Sequence, residues 1–123
     1  MKTRRRPLRF AALVGTLLAV TIAGNAAAAG LTVTFTSLPV AHRDNPTSAS
    51  VKTTAGAACT IKVKYRTGYS RAKGLEKKTA PANGRITWTW EVGKTTTPGK
   101  WPVTVTCTKG SKSGTATRLM TVK

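Results

Sequence analysis

The 123-residue chain is poor in the side chains that most enzymes use for catalysis. It has three acidic residues, one histidine and two cysteines. A metal centre needs several ligands, and a glycosidase-type site needs two carboxylates held together. No nucleophile motif accompanies the serines either. The sequence therefore predicts no catalytic residue, no metal and no cofactor, and it implies no small-molecule substrate.

The shortage of acidic residues leaves a large positive charge. Lys and Arg number 21 against three Asp and Glu, which makes the formal net charge +18. A charge of this size attracts polyanions and makes their binding sensitive to salt. The length allows one domain.

The chain also lacks an apolar run long enough to cross a membrane. The run at residues 10–23 is 14 residues long, follows a basic segment with five positive charges and precedes small residues that end at Ala29. A spanning helix needs about 18 or more apolar residues. This arrangement is that of a signal peptide at residues 1–29, cleaved to release a domain at 30–123. The basic segment suits general secretory and twin-arginine export equally. We therefore expect a secreted, extracellular protein that is still strongly cationic.

After residue 30 the apolar residues recur at every second position, between clusters of Gly, Pro, Asn and Ser. This is the pattern of half-buried strands, and no stretch shows a helical period. Seven short strands in a domain of this size predict an all-β sandwich. The predicted strands are Leu31–Ser37, Ala49–Thr54, Cys59–Arg66, Leu75–Thr79, Arg85–Val92, Trp101–Thr108 and Thr115–Val122.

Cys59 and Cys107 are predicted to form a disulfide, because an exported chain reaches an oxidising compartment and one pairing is possible. If their strands are antiparallel neighbours with the cysteines opposite, one face is apolar and the other polar, as a half-buried sheet requires. Pro102 is placed at the entrance of its strand, because proline cannot donate to the ladder. The apolar pairs are Ile61 with Val105, Val63 with Val103 and Tyr65 with Trp101, and the polar pairs are Thr60 with Thr106 and Lys62 with Thr104.

Four segments carry a resemblance: Cys59–Tyr65, Ile86–Trp90, Thr97–Gly99 and Trp101–Cys107. Together they resemble the bacterial immunoglobulin-like modules in secreted and surface proteins of Gram-positive bacteria, over about residues 49 to 122. The resemblance implies an immunoglobulin-like β-sandwich of about seven strands with one disulfide. It also implies a non-enzymatic spacer or adhesive unit. The Trp and Tyr of antibody-type domains are missing at their usual spacing from the cysteines, so the antibody topology itself is not implied.

The basic residues are the main candidates for function. Three of them alternate along the solvent face of the third predicted strand, and four follow with one glutamate, Glu76, among them. Such a patch would attract an anionic polymer, whereas the alternative is that these are ordinary solubilising charges. Outside a Gram-positive cell the nearest polyanions are wall teichoic acids and anionic lipid headgroups. The candidates for anionic-polymer binding are Lys62, Lys64, Arg66, Arg71, Lys73, Lys77 and Lys78.

The aromatic residues divide into two groups. Trp88 and Trp90 share a strand face with Ile86 and Val92, which predicts core packing. Tyr69 lies in a predicted loop, where no alternation requires burial, and is a candidate for stacking on sugar rings or bases. The alternative for Tyr69 is that it packs against the domain.

These observations favour a secreted, non-catalytic binding module that is held at the cell envelope by its basic face. A second hypothesis is a cationic effector that disrupts a competitor's membrane or inhibits an enzyme, although a sandwich lacks the usual amphipathic helix. A third is extracellular DNA binding, for which nucleic acid needs only the same charge. The sequence leaves all three open.

Overall fold

A computed structural model of the protein describes residues 30–123. The predicted signal peptide at 1–29 lies outside the described residues. Within 30–123 the regular elements are strands, and no helix there could span a membrane. The strands are β1 (Thr34–Ser37), β2 (Asn45–Lys52), β3 (Ala58–Tyr65), β4 (Gly68–Tyr69), β5 (Lys78–Thr79), β6 (Arg85–Val92), β7 (Gly99–Lys109) and β8 (Lys112–Val122).

The strands form two sheets whose order identifies the fold. One sheet has the order β1-β2-β6, and the other has the order β4-β3-β7-β8 with β5 on the free edge of β3. All of these strand pairs are antiparallel. An immunoglobulin-like sandwich has strands A, B and E in one sheet and strands C, F and G in the other. With the two-residue strands β4 and β5 set aside, β1, β2 and β6 correspond to A, B and E, and β3, β7 and β8 correspond to C, F and G. The predicted immunoglobulin-like β-sandwich is therefore confirmed.

The predicted disulfide and the register around it are also confirmed. Cys59 and Cys107 are directly opposite each other on β3 and β7 and are joined by a disulfide. The ladder continues in the predicted register as far as Val63 and Val103. This link joins neighbouring strands of one sheet, whereas the antibody disulfide joins two sheets.

The register prediction is wrong at its far end. Tyr65 does not pair with Trp101, and its one ladder partner is Gly68 of β4, on the other edge of β3. Pro102 lies inside β7, opposite Leu119, and not at the entrance of the strand, which begins at Gly99. The β3 ladder stops one residue before Pro102, which has no N–H to continue it.

The core lies between the two sheets and is centred on β6. Its inward residues are the predicted Ile86, Trp88, Trp90 and Val92, all buried. The indole N–H of Trp88 donates to the Glu76 carbonyl at 2.8 Å, so the polar atom of this buried ring is satisfied. The prediction that both tryptophans pack in the core is confirmed.

The fourth predicted strand is mostly a loop. Only Lys78–Thr79 pairs with β3, and residues 70–77 instead close over β6. Gly74 approaches the Thr89 carbonyl so closely that a Cβ would overlap it. Leu75 packs against the core without lying in a strand. An apolar residue of a loop that packs on a sheet therefore gave the appearance of a strand.

Other strand bounds also differ from the prediction: β1 begins at Thr34 and not at Leu31, and β7 begins at Gly99 and not at Trp101. β2 begins at Asn45, and β4 occupies a segment predicted to be loop. β8 begins at Lys112, because Gly110 and Ser111 form a two-residue turn. Gly110 has a φ of 61°, which suits the first central position of a type II′ hairpin turn.

One core position carries a polar group without a partner. Thr47 on β2 is 7% exposed, and its hydroxyl makes no hydrogen bond. An unsatisfied buried hydroxyl costs about 1 to 3 kcal/mol. We expect Thr47→Val to raise the free energy of unfolding by about 1 kcal/mol, measured by urea denaturation. Thr108→Val, at an exposed position of β7, is the control and should change it by less than about 0.5 kcal/mol. A Thr47→Val variant less stable than the wild type would contradict this account.

Candidate anion-binding surface

Two lysines and a tyrosine come together on the outer face of the larger sheet. Lys62 and Lys64 alternate with buried residues along β3, so both side chains point to solvent. β4 pairs with the end of β3 and places Tyr69 directly opposite Lys64. The two ammonium nitrogens lie 5.4 and 5.6 Å from the centre of the Tyr69 ring, within the range of cation–π attraction. Tyr69 remains 58% exposed, so much of its surface is free for a ligand.

Sequence reasoning treated Tyr69 as a separate loop residue and missed this association. The missing element is β4, a strand of two residues that is too short to show alternation. The signal available in the sequence was the two-residue turn Arg66–Thr67, followed by Gly68. That turn folds the chain back on β3 and brings the ring beside the lysines.

Rows of threonine hydroxyls extend from the lysines across the sheet. Lys62 is opposite Thr104, and Thr104 is opposite Thr117, whose hydroxyl lies 3.0 Å from that of Thr104. None of the four strands β3, β4, β7 and β8 contains an acidic residue. We call this surface the basic face. It comprises Lys62, Lys64, Tyr69, Thr60, Thr104, Thr106, Thr115 and Thr117.

The structure does not bring the seven predicted basic residues together on one surface. Lys62 and Lys64 belong to the basic face, and Arg66 lies in the turn between β3 and β4. Lys78 is engaged elsewhere, because its ammonium donates to the Thr87 carbonyl of the other sheet at 2.8 Å. The remaining three, Arg71, Lys73 and Lys77, lie in the loop that closes over β6.

Tyr65 marks the edge of the core and not a part of the basic face. Its hydroxyl accepts a hydrogen bond from the Trp90 indole at 3.3 Å. Burial raises the pKa of the Tyr65 phenol above its usual value, although the Trp90 hydrogen bond opposes the shift. The phenol therefore stays neutral in a packing role.

The histidine and the nearby acid do not form a site with other ligands. His42 and Asp44 are exposed in the turn before β2, where Asp44 has a φ of 63°. Nowhere in residues 30–123 do three or more His, Cys, Asp or Glu side chains gather as metal ligands would.

Comparison with known proteins gives no family. No family model matches the sequence, and no curated protein does. Solved structures that align with 74% of this chain include a chimeric titin Z1Z2 carrying a KLER peptide from decorin, at 18% identity over 93% of that chain with a TM-score of 0.49. Others are titin Z1Z2 in complex with telethonin, at 17% identity over 47% of that chain and a TM-score of 0.48, and titin M3, at 14% over 96% and 0.45. The fold assignment rests on the strand order described above.

Proposed function

We propose that this protein is a secreted, non-catalytic binding module retained at the cell envelope by contacts between its basic face and anionic polymers. The observation that carries the proposal is the placement of the Lys62 and Lys64 ammonium groups within 5.6 Å of the centre of an exposed tyrosine ring, on strands without a carboxylate. Outside a Gram-positive cell, the anionic partners available are wall teichoic acids and anionic lipid headgroups.

The charge balance of the domain supports binding to a polyanion. Residues 30–123 contain 16 basic and three acidic residues. Three carboxylates cannot neutralise 16 cations, so most of the positive charge is available to an external partner. An unbalanced field of this kind raises the rate at which an anionic partner is encountered.

The chemistry of the basic face matches a polymer that alternates phosphate with polyol or sugar. Lysine ammonium groups contact phosphate oxygens as point charges. Threonine hydroxyls donate to and accept from ligand hydroxyls, and the Tyr69 ring offers a surface on which a sugar ring packs. Lys62 and Lys64 are two residues apart on β3, so their Cα atoms lie about 6.6 Å apart on one face of the strand.

A pair of charge-matched variants tests the proposal. Lys62→Gln with Lys64→Gln removes two charges from the basic face, and Lys94→Gln with Lys123→Gln removes two charges elsewhere. We expect the first variant to bind purified teichoic acid about tenfold more weakly at low salt, because two phosphate contacts are lost. The slope of log affinity against log salt should fall by about 1 to 1.5 in magnitude. The measurement is a titration of residues 30–123 at several salt concentrations.

Five results would contradict the proposal. Equal losses in the two variants would mean that net charge alone is responsible. Retention on cell-wall sacculi that ignores salt, or that persists after teichoic acid is removed, would exclude the charge mechanism. Tighter binding to duplex DNA at matched salt would favour DNA as the ligand, and dye release from anionic vesicles would favour a membrane effector.

A further inference from the structure

A second group of cations lies at one end of the sandwich, apart from the residues considered so far. Lys52 and Arg85 are directly opposite each other on β2 and β6, on the outer face of the smaller sheet. Lys109 and Lys112 are directly opposite each other across the β7–β8 turn. Like charges in opposed positions of a sheet destabilise it. Repulsion within these two pairs lowers the stability of the domain, and a bound anion would reduce that repulsion.

The loop between β2 and β3 holds both pairs at the same end of the domain. This loop follows Lys52, and its Thr53 N–H donates to the Gly84 carbonyl next to Arg85 at 2.8 Å. The Lys109 ammonium donates to the Ala55 carbonyl of the same loop, also at 2.8 Å. We call Lys52, Arg85, Lys109 and Lys112 the loop-end cluster.

The acidic residues do not offset this cluster. Asp44 precedes β2 and Glu91 lies near the end of β6, both at the opposite end from Lys52 and Arg85. The third acid, Glu76, lies beside Trp88, partway along β6. The loop-end cluster therefore has no carboxylate among its own pairs.

A groove lined mainly by threonine residues adjoins Lys52. Thr34 of β1 is directly opposite Lys52, so Thr34, Lys52 and Arg85 form one row across three strands. The groove has a volume of about 380 Å³, enough for a phosphate group. Its lining residues are Thr32, Thr34, Thr36, Lys52, Thr53 and Thr54. The Thr53 hydroxyl donates to the Thr32 carbonyl at 2.9 Å and so ties the loop after Lys52 to the segment before β1.

The loop-end cluster is separate from the basic face. β3 starts at Ala58, beside the β2–β3 loop, and reaches Lys64 six residues later. At about 3.3 Å per residue, this places Lys64 roughly 20 Å from the loop end. One phosphate group cannot reach both places at once.

We propose that the groove beside Lys52, together with Arg85 and the adjacent Lys109–Lys112 pair, is a second binding site for phosphate groups of a linear phosphate polymer. Lys52 and Arg85 supply charge-assisted hydrogen bonds to one phosphate, and the groove threonines supply neutral ones. Lys112 is placed to contact a neighbouring phosphate of the same chain. A domain with two separated sites joins two segments of polymer.

The test uses tripolyphosphate as a defined phosphate chain and residues 30–123 as the protein. Lys52→Gln with Arg85→Gln removes two charges from the site, and Lys94→Gln with Lys123→Gln, which removes two exposed charges outside both binding surfaces, is the matched control. Calorimetric titration gives the affinity, with sodium chloride at equal ionic strength as the reference. We expect the first variant to bind at least about tenfold more weakly and the control to keep most of the wild-type affinity.

Thermal unfolding supplies a readout that a purely structural role would not produce. Without ligand at low salt, Lys52→Gln with Arg85→Gln should melt at or above the wild-type temperature, because a like-charge pair is removed. With tripolyphosphate the wild type should gain several degrees in Tm, and this variant should lose most of that gain. Thr34→Val leaves the charge unchanged and should weaken binding several-fold.

The proposal is overturned if the two charge variants lose affinity equally, because net charge would then explain the binding. It is also overturned if Lys52→Gln with Arg85→Gln, or Thr34→Val, binds tripolyphosphate as the wild type does. If Lys62→Gln with Lys64→Gln does not weaken binding to teichoic acid, the proposed function fails. The site beside Lys52 is not affected by that result, because it is tested by Lys52→Gln with Arg85→Gln.

Discussion

Replacing both Cys59 and Cys107 by alanine should lower the free energy of unfolding by about 4 kcal/mol. The disulfide closes a loop with a sequence separation of 48 residues, and cross-linking such a loop removes conformational entropy from the unfolded chain. Small domains have a net stability of about 5 to 10 kcal/mol. The variant should therefore retain roughly half of its stability or less.

Urea denaturation of the oxidised wild type and the double variant measures this loss. The wild type that has been unfolded, reduced and refolded is the control, because it keeps both sulfur atoms and lacks only the covalent bond. We expect its stability to match that of the variant within about 1 kcal/mol, since the cross-link outweighs the packing of two small side chains. A loss below about 1 kcal/mol in the variant would show that the strand ladder alone holds β3 and β7 together.

Truncation of Trp88 should have an effect of similar size. This side chain is fully buried between the sheets, and removing a buried tryptophan costs about 3 to 5 kcal/mol through lost burial and the cavity left behind. Trp88→Ala should thus unfold at a much lower urea concentration. Trp88→Phe keeps most of the apolar volume but removes the N–H that bonds the Glu76 carbonyl, so it should cost about 1 to 3 kcal/mol.

The phenylalanine variant also reports on the loop over β6. Without the Trp88 hydrogen bond, residues 70–77 should exchange their amide hydrogens faster, while β3 and β7 remain protected. Trp101→Phe is the matched control, because its indole N–H bonds the Thr97 carbonyl in another loop at 2.7 Å. Equal exchange in residues 70–77 for both variants would mean that Gly74 and its neighbours hold the loop without Trp88.

The part of the fold that could be predicted is the part governed by short-range patterns. Alternation on β3, β6 and β7 was long enough to reveal which residues face the core, and the cysteines fixed the register of one strand pair. The pattern failed at Leu75 and at Gly68–Tyr69, because two-residue strands and loops that pack on a sheet have no period of their own.

The sequence predicted which residue types could bind an anion, but not which of those residues lie next to one another in the fold. The sequence places Lys62 and Lys64 on one strand face, since alternate residues of a strand point the same way. It carries no signal that Lys78 turns to Thr87 of the other sheet, or that Lys52 faces Arg85. These neighbours are far apart in sequence and meet only because of the order in which the strands pair.

By itself, then, the sequence determined the cationic character, the all-β class, the disulfide and the inward and outward faces of the long strands. These follow from composition and from a two-residue period, which are local properties of the chain. Only the tertiary structure decided that the Tyr69 ring lies beside both Lys62 and Lys64 and that two like-charge pairs share one end of the sandwich. The physical reason is that contacts across strands depend on how the loops close, and loop closure is a property of the whole fold.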